Sequence, residues 1–166
     1  MRKPVIFAVL ALVAAVGHAG ETTKPIWRKD VTKEAIPTLP VQGMAHGVKF
    51  KIEKASIQNG ILTLRQGKEF FADQEFVIFT FLKEGETLEG KKFKVKTDDG
   101  FGAPHIHFKY KVEGRRLPKS EIFSKGHTMK LEFGKASAKK ISGKIYLCLP
   151  DKAKSFVAGS FEAEMK

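Results

Sequence analysis

From Val48 onward apolar residues alternate one for one with charged or imidazole side chains, and this alternation constrains the fold more than any other feature. Val48, Phe50 and Ile52 interleave with Lys49, Lys51 and Glu53; Phe93 stands between Lys92 and Lys94. Ile106, Phe108, Tyr110 and Val112 alternate with His105, His107, Lys109 and Lys111, and Met129, Leu131 and Phe133 with Lys130 and Glu132. Side chains in a strand point to opposite faces in turn, so a period of two predicts half-buried strands with one wet face. No segment carries a convincing helical period, and Glu69–Gln74 has room for one helical turn at most.

Other runs extend the pattern. Phe76–Leu82 is apolar on both faces and rich in β-branched and aromatic residues, which predicts a central strand covered on both sides. Asn59-Gly60 lies between apolar runs, and both residues tolerate positive φ, so it predicts a hairpin. Ile145–Leu149 and Phe156–Met165 form a last pair of strands. About eight strands with Gly- and Pro-marked turns predict an all-β domain over 48–166, an antiparallel β-sandwich or β-barrel. Residues 20–47, broken by Pro25, Pro37 and Pro40, read as an extended lead-in pinned by Ile26 and Trp27.

Residues 1–19 read as a signal peptide. Arg2 and Lys3 are followed by an apolar run from Val5 to Val16, then by Gly17-His18-Ala19, with small residues at −3 and −1 of a cut before Gly20. The run is about 12 residues, short of the ~20 that span a bilayer as a helix. The expectation is a bacterial protein exported to the periplasm or the medium, with no transmembrane segment once the leader is removed. Cys148 is the only cysteine, so no internal disulfide forms, and its apolar surroundings predict a buried thiol.

The net charge of +12 favours an acidic polymer or protein as partner. Only five of the 30 basic residues are arginine, and only Arg115-Arg116 are adjacent, in a predicted loop. Arginine is the side chain suited to bidentate phosphate and base recognition, so the balance argues against nucleic acid. The primary expectation is therefore an interaction module that meets an acidic ligand through Lys49, Lys51, Lys92, Lys94, Lys109 and Lys111.

The alternative is a zinc- or copper-binding protein. His105 and His107 fall on one strand face about 7 Å apart, and neutral imidazole is a good ligand for either metal. His127 is the first candidate for a third ligand, with His46, Asp98 and Asp99 behind it. Asp98-Asp99-Gly100 alone reads as a tight turn, because it lacks the spaced oxygens of a calcium loop. A secreted hydrolase is the third class. No nucleophile elbow, zinc-protease or phosphate-loop motif supports an enzyme, and Glu53, Glu69, Glu75, Glu84 and Glu86 read as surface or turn residues. Phe70-Phe71 and Phe101 lie outside the strand patterns. Packing over a sheet end is their expected role, and the rim of a pocket or interface the other.

Overall fold

The computed structural model describes residues 24–166; the signal-peptide reading of residues 1–19 lies outside them. Its strands are β1 (Gln42–Ala45), β2 (Val48–Lys51), β3 (Lys54–Gln58), β4 (Ile61–Gln66), β5 (Gln74–Phe79) and β6 (Lys92–Val95). They continue with β7 (His105–Tyr110), β8 (Lys119–Phe123), β9 (Thr128–Ala136), β10 (Lys140–Cys148) and β11 (Phe156–Met165). No helix among the described residues is long and apolar enough to cross a membrane.

The alternating segments largely fold as their pattern dictates, although Val48, expected on the inner face with Phe50, is exposed. In β7, Ile106, Phe108 and Tyr110 are buried while His105, His107 and Lys109 face outward. Asn59 and Gly60, at φ 50° and 76°, make the tight turn from β3 to β4. β5 is central, paired with β4 on one side and β7 on the other, but it is not covered on both faces as expected: its outer face lines an open groove, and Phe81, past its end, is 52% exposed.

All strands belong to one curled sheet in the order β6-β9-β10-β11-β3-β4-β5-β7-β8, with β1 and β2 attached at β11. The expectation of an antiparallel sandwich of about eight strands is corrected in two respects. The described residues form eleven strands, and the sheet is mixed, because β11 and β3 run parallel (Glu164 opposite Ser56, Met165 opposite Ile57). Three strands escaped the pattern for physical reasons. β1 is short and carries Gly43, whose backbone lies so close to the Phe156 carbonyl that no side chain fits. β2 and β3 are nearly continuous in sequence but change partners within two residues: the Ile52 amide donates to the Val41 carbonyl (2.9 Å) and the Glu53 amide to that of Arg65 (2.9 Å). β8 points Ile122 to solvent and Glu121 inward, where the Tyr110 hydroxyl donates to its carboxylate (2.7 Å).

Curling brings two arms together over one core. Leu62, Leu64, Phe76, Ile78, Ile106 and Phe108 from β4, β5 and β7 meet Met129, Leu131, Ile145, Leu147 and Val157 from β9, β10 and β11. Phe76 stacks on Phe108 (centroids 4.6 Å apart) and meets Phe50 edge-on (5.2 Å). Each such buried side chain contributes about 1.5–3 kcal/mol against exposure. Lysines stand along the outermost strands, with Lys92 and Lys94 on β6 and Lys119 on β8, where charge discourages edge-to-edge association.

The lead-in lies across the outer face of β9, β10 and β11. Trp27 Nε1 donates to the Leu149 carbonyl (2.7 Å), and the Tyr146 hydroxyl donates to the Ile26 carbonyl (2.6 Å) and accepts from the Ile26 amide (3.1 Å). Val31 is buried against Tyr146, Cys148 and Ala158. The pin is Trp27 and the backbone of residue 26, for the Ile26 side chain is half exposed.

Gly159 makes this arrangement sterically feasible. Its φ is +143°, and a Cβ there would stand 2.4 Å from the Leu39 carbonyl oxygen, where residues 39–41 cross β11. Gly159→Ala is expected to lower the unfolding free energy by about 2–3 kcal/mol, measured by urea denaturation. A loss below about 0.5 kcal/mol, the scale of an ordinary surface change, would show that the crossing tolerates a side chain.

Candidate functional site

While the lead-in covers one arm, the outer face of β3, β4, β5, β7 and β8 is open. Antiparallel register sets its side chains in three rows across the strands. The first runs Lys54, Arg65, Glu75, Lys109, Ser120; the second Ser56, Thr63, Val77, His107, Ile122; the third Gln58, Ile61, Phe79, His105. The face forms an open groove of about 840 Å3, with Ser56, Ile61, Thr63 and Val77 among its lining and Lys54, Arg65, Lys68 and Lys109 along the charged side. Val77 is buried by its neighbours on the strands, and no second layer covers it.

Its charges are arranged rather than scattered. Lys109 Nζ lies 3.3 Å from Glu75, and Lys54 Nζ 3.2 Å from Glu164. Lys111 bridges Glu69 (2.8 Å) and Asp73 (2.9 Å), and these carboxylates hold its pKa above the ordinary lysine value. Arg65 reaches under the β4–β5 loop, where its guanidinium donates to the carbonyls of Gly67 (3.0 Å), Glu69 and Phe70 (3.3 Å).

The six lysines singled out from sequence do not form one surface. Lys109 lies in the groove and Lys111 just past the end of β7. Lys49 and Lys51 are exposed on β2, and the Lys51 amide donates to the Gln66 side chain at the end of β4 (2.9 Å). Lys92 and Lys94 stand on β6, separated from β7 by six intervening strands in the sheet order. Lys54, Arg65 and Lys68 were missed, although the outward members of the β3 and β4 alternation (Lys54, Ser56, Gln58; Ile61, Thr63, Arg65) carry the signal.

His105 and His107 share the outer face of β7 as their spacing predicts. Each is packed on an aromatic ring: His105 edge-on to Phe81 (4.7 Å) and His107 against Phe79 (4.5 Å). Burial, with Lys109 and His105 nearby, lowers the His107 pKa and favours its neutral form. His127 is fully buried instead of joining them on that face. Its ring is near the carbonyls of Pro104 and Lys125, yet neither nitrogen makes a hydrogen bond of ordinary geometry, and burial is the main cause of its lowered pKa. His46 stacks on Tyr110 (4.4 Å), and Asp99 closes a turn by accepting from the Lys96 amide (2.8 Å). Among the described residues no three His, Cys, Asp or Glu side chains are grouped as metal ligands. Cys148 is buried, its thiol pushed up to about 11 by desolvation.

Phe70 and Phe101 do not pack over a sheet end. Phe70 is 89% exposed and Phe101 fully so, while Phe71 is partly covered by its edge-on contact with Phe70 (4.9 Å). Comparison with protein-family models, curated proteins and solved structures returns no match.

Burial of His127 makes stability depend on pH. Its pKa is lower folded than unfolded, so below about pH 6.5 the unfolded chain binds more protons and stability falls with pH. The expected slope from this group is at most about 1.4 kcal/mol per pH unit. Urea denaturation at pH 7.5 and 5.0 is expected to show a shallower decline in His127→Gln than in the parent; parallel declines would mean that His127 takes up its proton in the folded state.

Proposed function

We propose that the protein is an exported binding module that holds an acidic, extended ligand in the groove across β3, β4, β5 and β7. The observation that carries this reading is the contrast between two outer faces of one sheet. The chain's own lead-in covers the first with apolar contacts and hydrogen bonds, whereas the second is left as a groove with hydrogen-bonding Ser56, Gln58, Asn59 and Thr63 beside basic side chains. An extended polymer suits a groove that runs across strands. Export rests on the order of charge, apolar run and small-residue site in residues 1–19.

The ion pairs already in the groove do not oppose this reading. Lys54–Glu164 and Lys109–Glu75 are solvent-accessible, and exposed pairs are worth only about 0.2–1 kcal/mol, so an acidic ligand can exchange with them. The groove's carboxylates favour binding over hydrolysis. Glu75 is engaged by Lys109, Glu69 by Lys111, and Glu53 by the Gly67 amide (3.3 Å), which leaves no acid–base pair facing the floor.

Binding of fluorescently labelled polyglutamate, followed by anisotropy, tests the proposal. Affinity is expected to fall about tenfold or more between 50 and 300 mM salt, as screening of exposed charges requires. Lys68→Glu/Lys109→Glu is expected to weaken binding about tenfold at low salt, and Lys92→Glu/Lys94→Glu by less than about twofold, because only near charges escape screening. Equal losses in the two double variants would replace the groove with a diffuse positive field.

A further inference from the structure

At one end of the open arm the groove lining, through Lys68, Glu69 and Phe70, continues into a second hollow. There the β4–β5 loop (residues 67–73) and the β7–β8 loop (residues 111–118) lie side by side around a hollow of about 460 Å3. Lys111 ties them together through its bridges to Glu69 and Asp73, and its amide donates to the Asp73 carbonyl (3.0 Å). Arg65 holds the first loop from beneath. So supported, Phe70 is 89% exposed on the first loop and Leu117 63% exposed on the second, with Phe71 edge-on to Phe70. Lys68, Arg115 and Arg116 belong to these loops and, like Glu113, make no ion pair among the described residues.

We infer that this loop end docks on an anionic lipid bilayer, with Phe70 and Leu117 entering the headgroup layer and Lys68, Arg115 and Arg116 resting against its charge. The inference rests on a surface that adjoins the groove and goes beyond its acidic ligand: Phe70 and Lys68 also line the groove's end, whereas Leu117, Arg115 and Arg116 do not. Three observations favour a bilayer over an acidic protein. The apolar side chains are largely exposed on loops, so they fit a soft layer that yields to them. They belong to two loops cross-linked by an ion-paired lysine, so they enter together. The unpaired charges around them are mainly basic, with Lys68, Arg115 and Arg116 against Glu113, and each basic residue near an anionic leaflet raises partitioning about fivefold. The adjacent arginines, isolated by sequence as the one such pair, thereby gain a setting.

Co-sedimentation of the protein, as recovered from its producing cells, with vesicles of phosphatidylglycerol and phosphatidylcholine tests this. Binding is expected to the mixed vesicles and to be at least about tenfold weaker on phosphatidylcholine alone, since it needs both apolar insertion and charge. Leu117→Ser, at an exposed position outside the groove lining and with folding checked by thermal denaturation, and Arg115→Glu/Arg116→Glu are each expected to reduce binding about tenfold while leaving polyglutamate binding within about twofold. Equal binding to both kinds of vesicle would overturn the inference, as would indifference to Leu117→Ser, which would reduce the contact to charge alone. Full competition by millimolar glycerol phosphate would overturn it too, by assigning the site to a free anion. A failure confined to polyglutamate would remove the groove proposal and leave this one standing.

Discussion

Along one edge β11 pairs with β10 over its whole length, and along the other it must satisfy its backbone with two different strands. Phe156–Ala158 pair with β1, Ser160 exchanges hydrogen bonds with Leu39 and Val41, and Glu164–Met165 pair with β3 in parallel. A buried backbone group without a partner costs on the order of 1–3 kcal/mol, so this division cannot be loosened cheaply. It explains why the sheet curls rather than splitting into two layers. The strand that serves β1 and β3 on one edge is the hinge line between the arms, and the inner faces then close on a shared core.

The same division decides which face is covered. Residues 39–41 must cross β11 to begin β1, so the chain before them is delivered to the outer side of β9, β10 and β11. Trp27 and Val31 settle there on Tyr146, Cys148 and Ala158, burying apolar surface on strands whose other side is already core. Nothing in that path reaches the β4–β5–β7 face. The groove is thus a consequence of connectivity, and its lining is polar because a face without a cover must be wetted. Val77 and Ile61 are tolerated on it because flanking side chains on adjacent strands shield them.

What the residue pattern revealed follows from the range over which each interaction acts. Alternation is local, so β5 and β7 were legible, as were the outward direction of His105 and His107 and the Asn59-Gly60 turn. The β11–β3 pairing joins residues more than a hundred apart, and no local pattern encodes it. β8 misled by inversion: Glu121 points inward because the Tyr110 hydroxyl satisfies it, while Ile122 faces the open side next to His107. A loop phenylalanine carries no period at all, so whether Phe70 turns in or out is decided by how Arg65 and Lys111 hold its loop. Those anchors become visible only in three dimensions.

The lysine excess shows why total charge is a poor guide to a site. Much of it is spent on the ends of the sheet order: Lys92 and Lys94 on β6 and Lys119 on β8 stand where unpaired backbone would otherwise template another strand. Lys140 faces Glu162 across strands, outside the groove, so it adds little to the outward field. Subtracting these roles leaves a shorter set with no structural employment, in which Lys68, Arg115 and Arg116 lie beside exposed Phe70 and Leu117. Exposed aromatic surface costs solubility, and unpaired like charge costs self-repulsion. Both costs fall on the same two loops, and a partner that is apolar within and anionic at its surface relieves both at once.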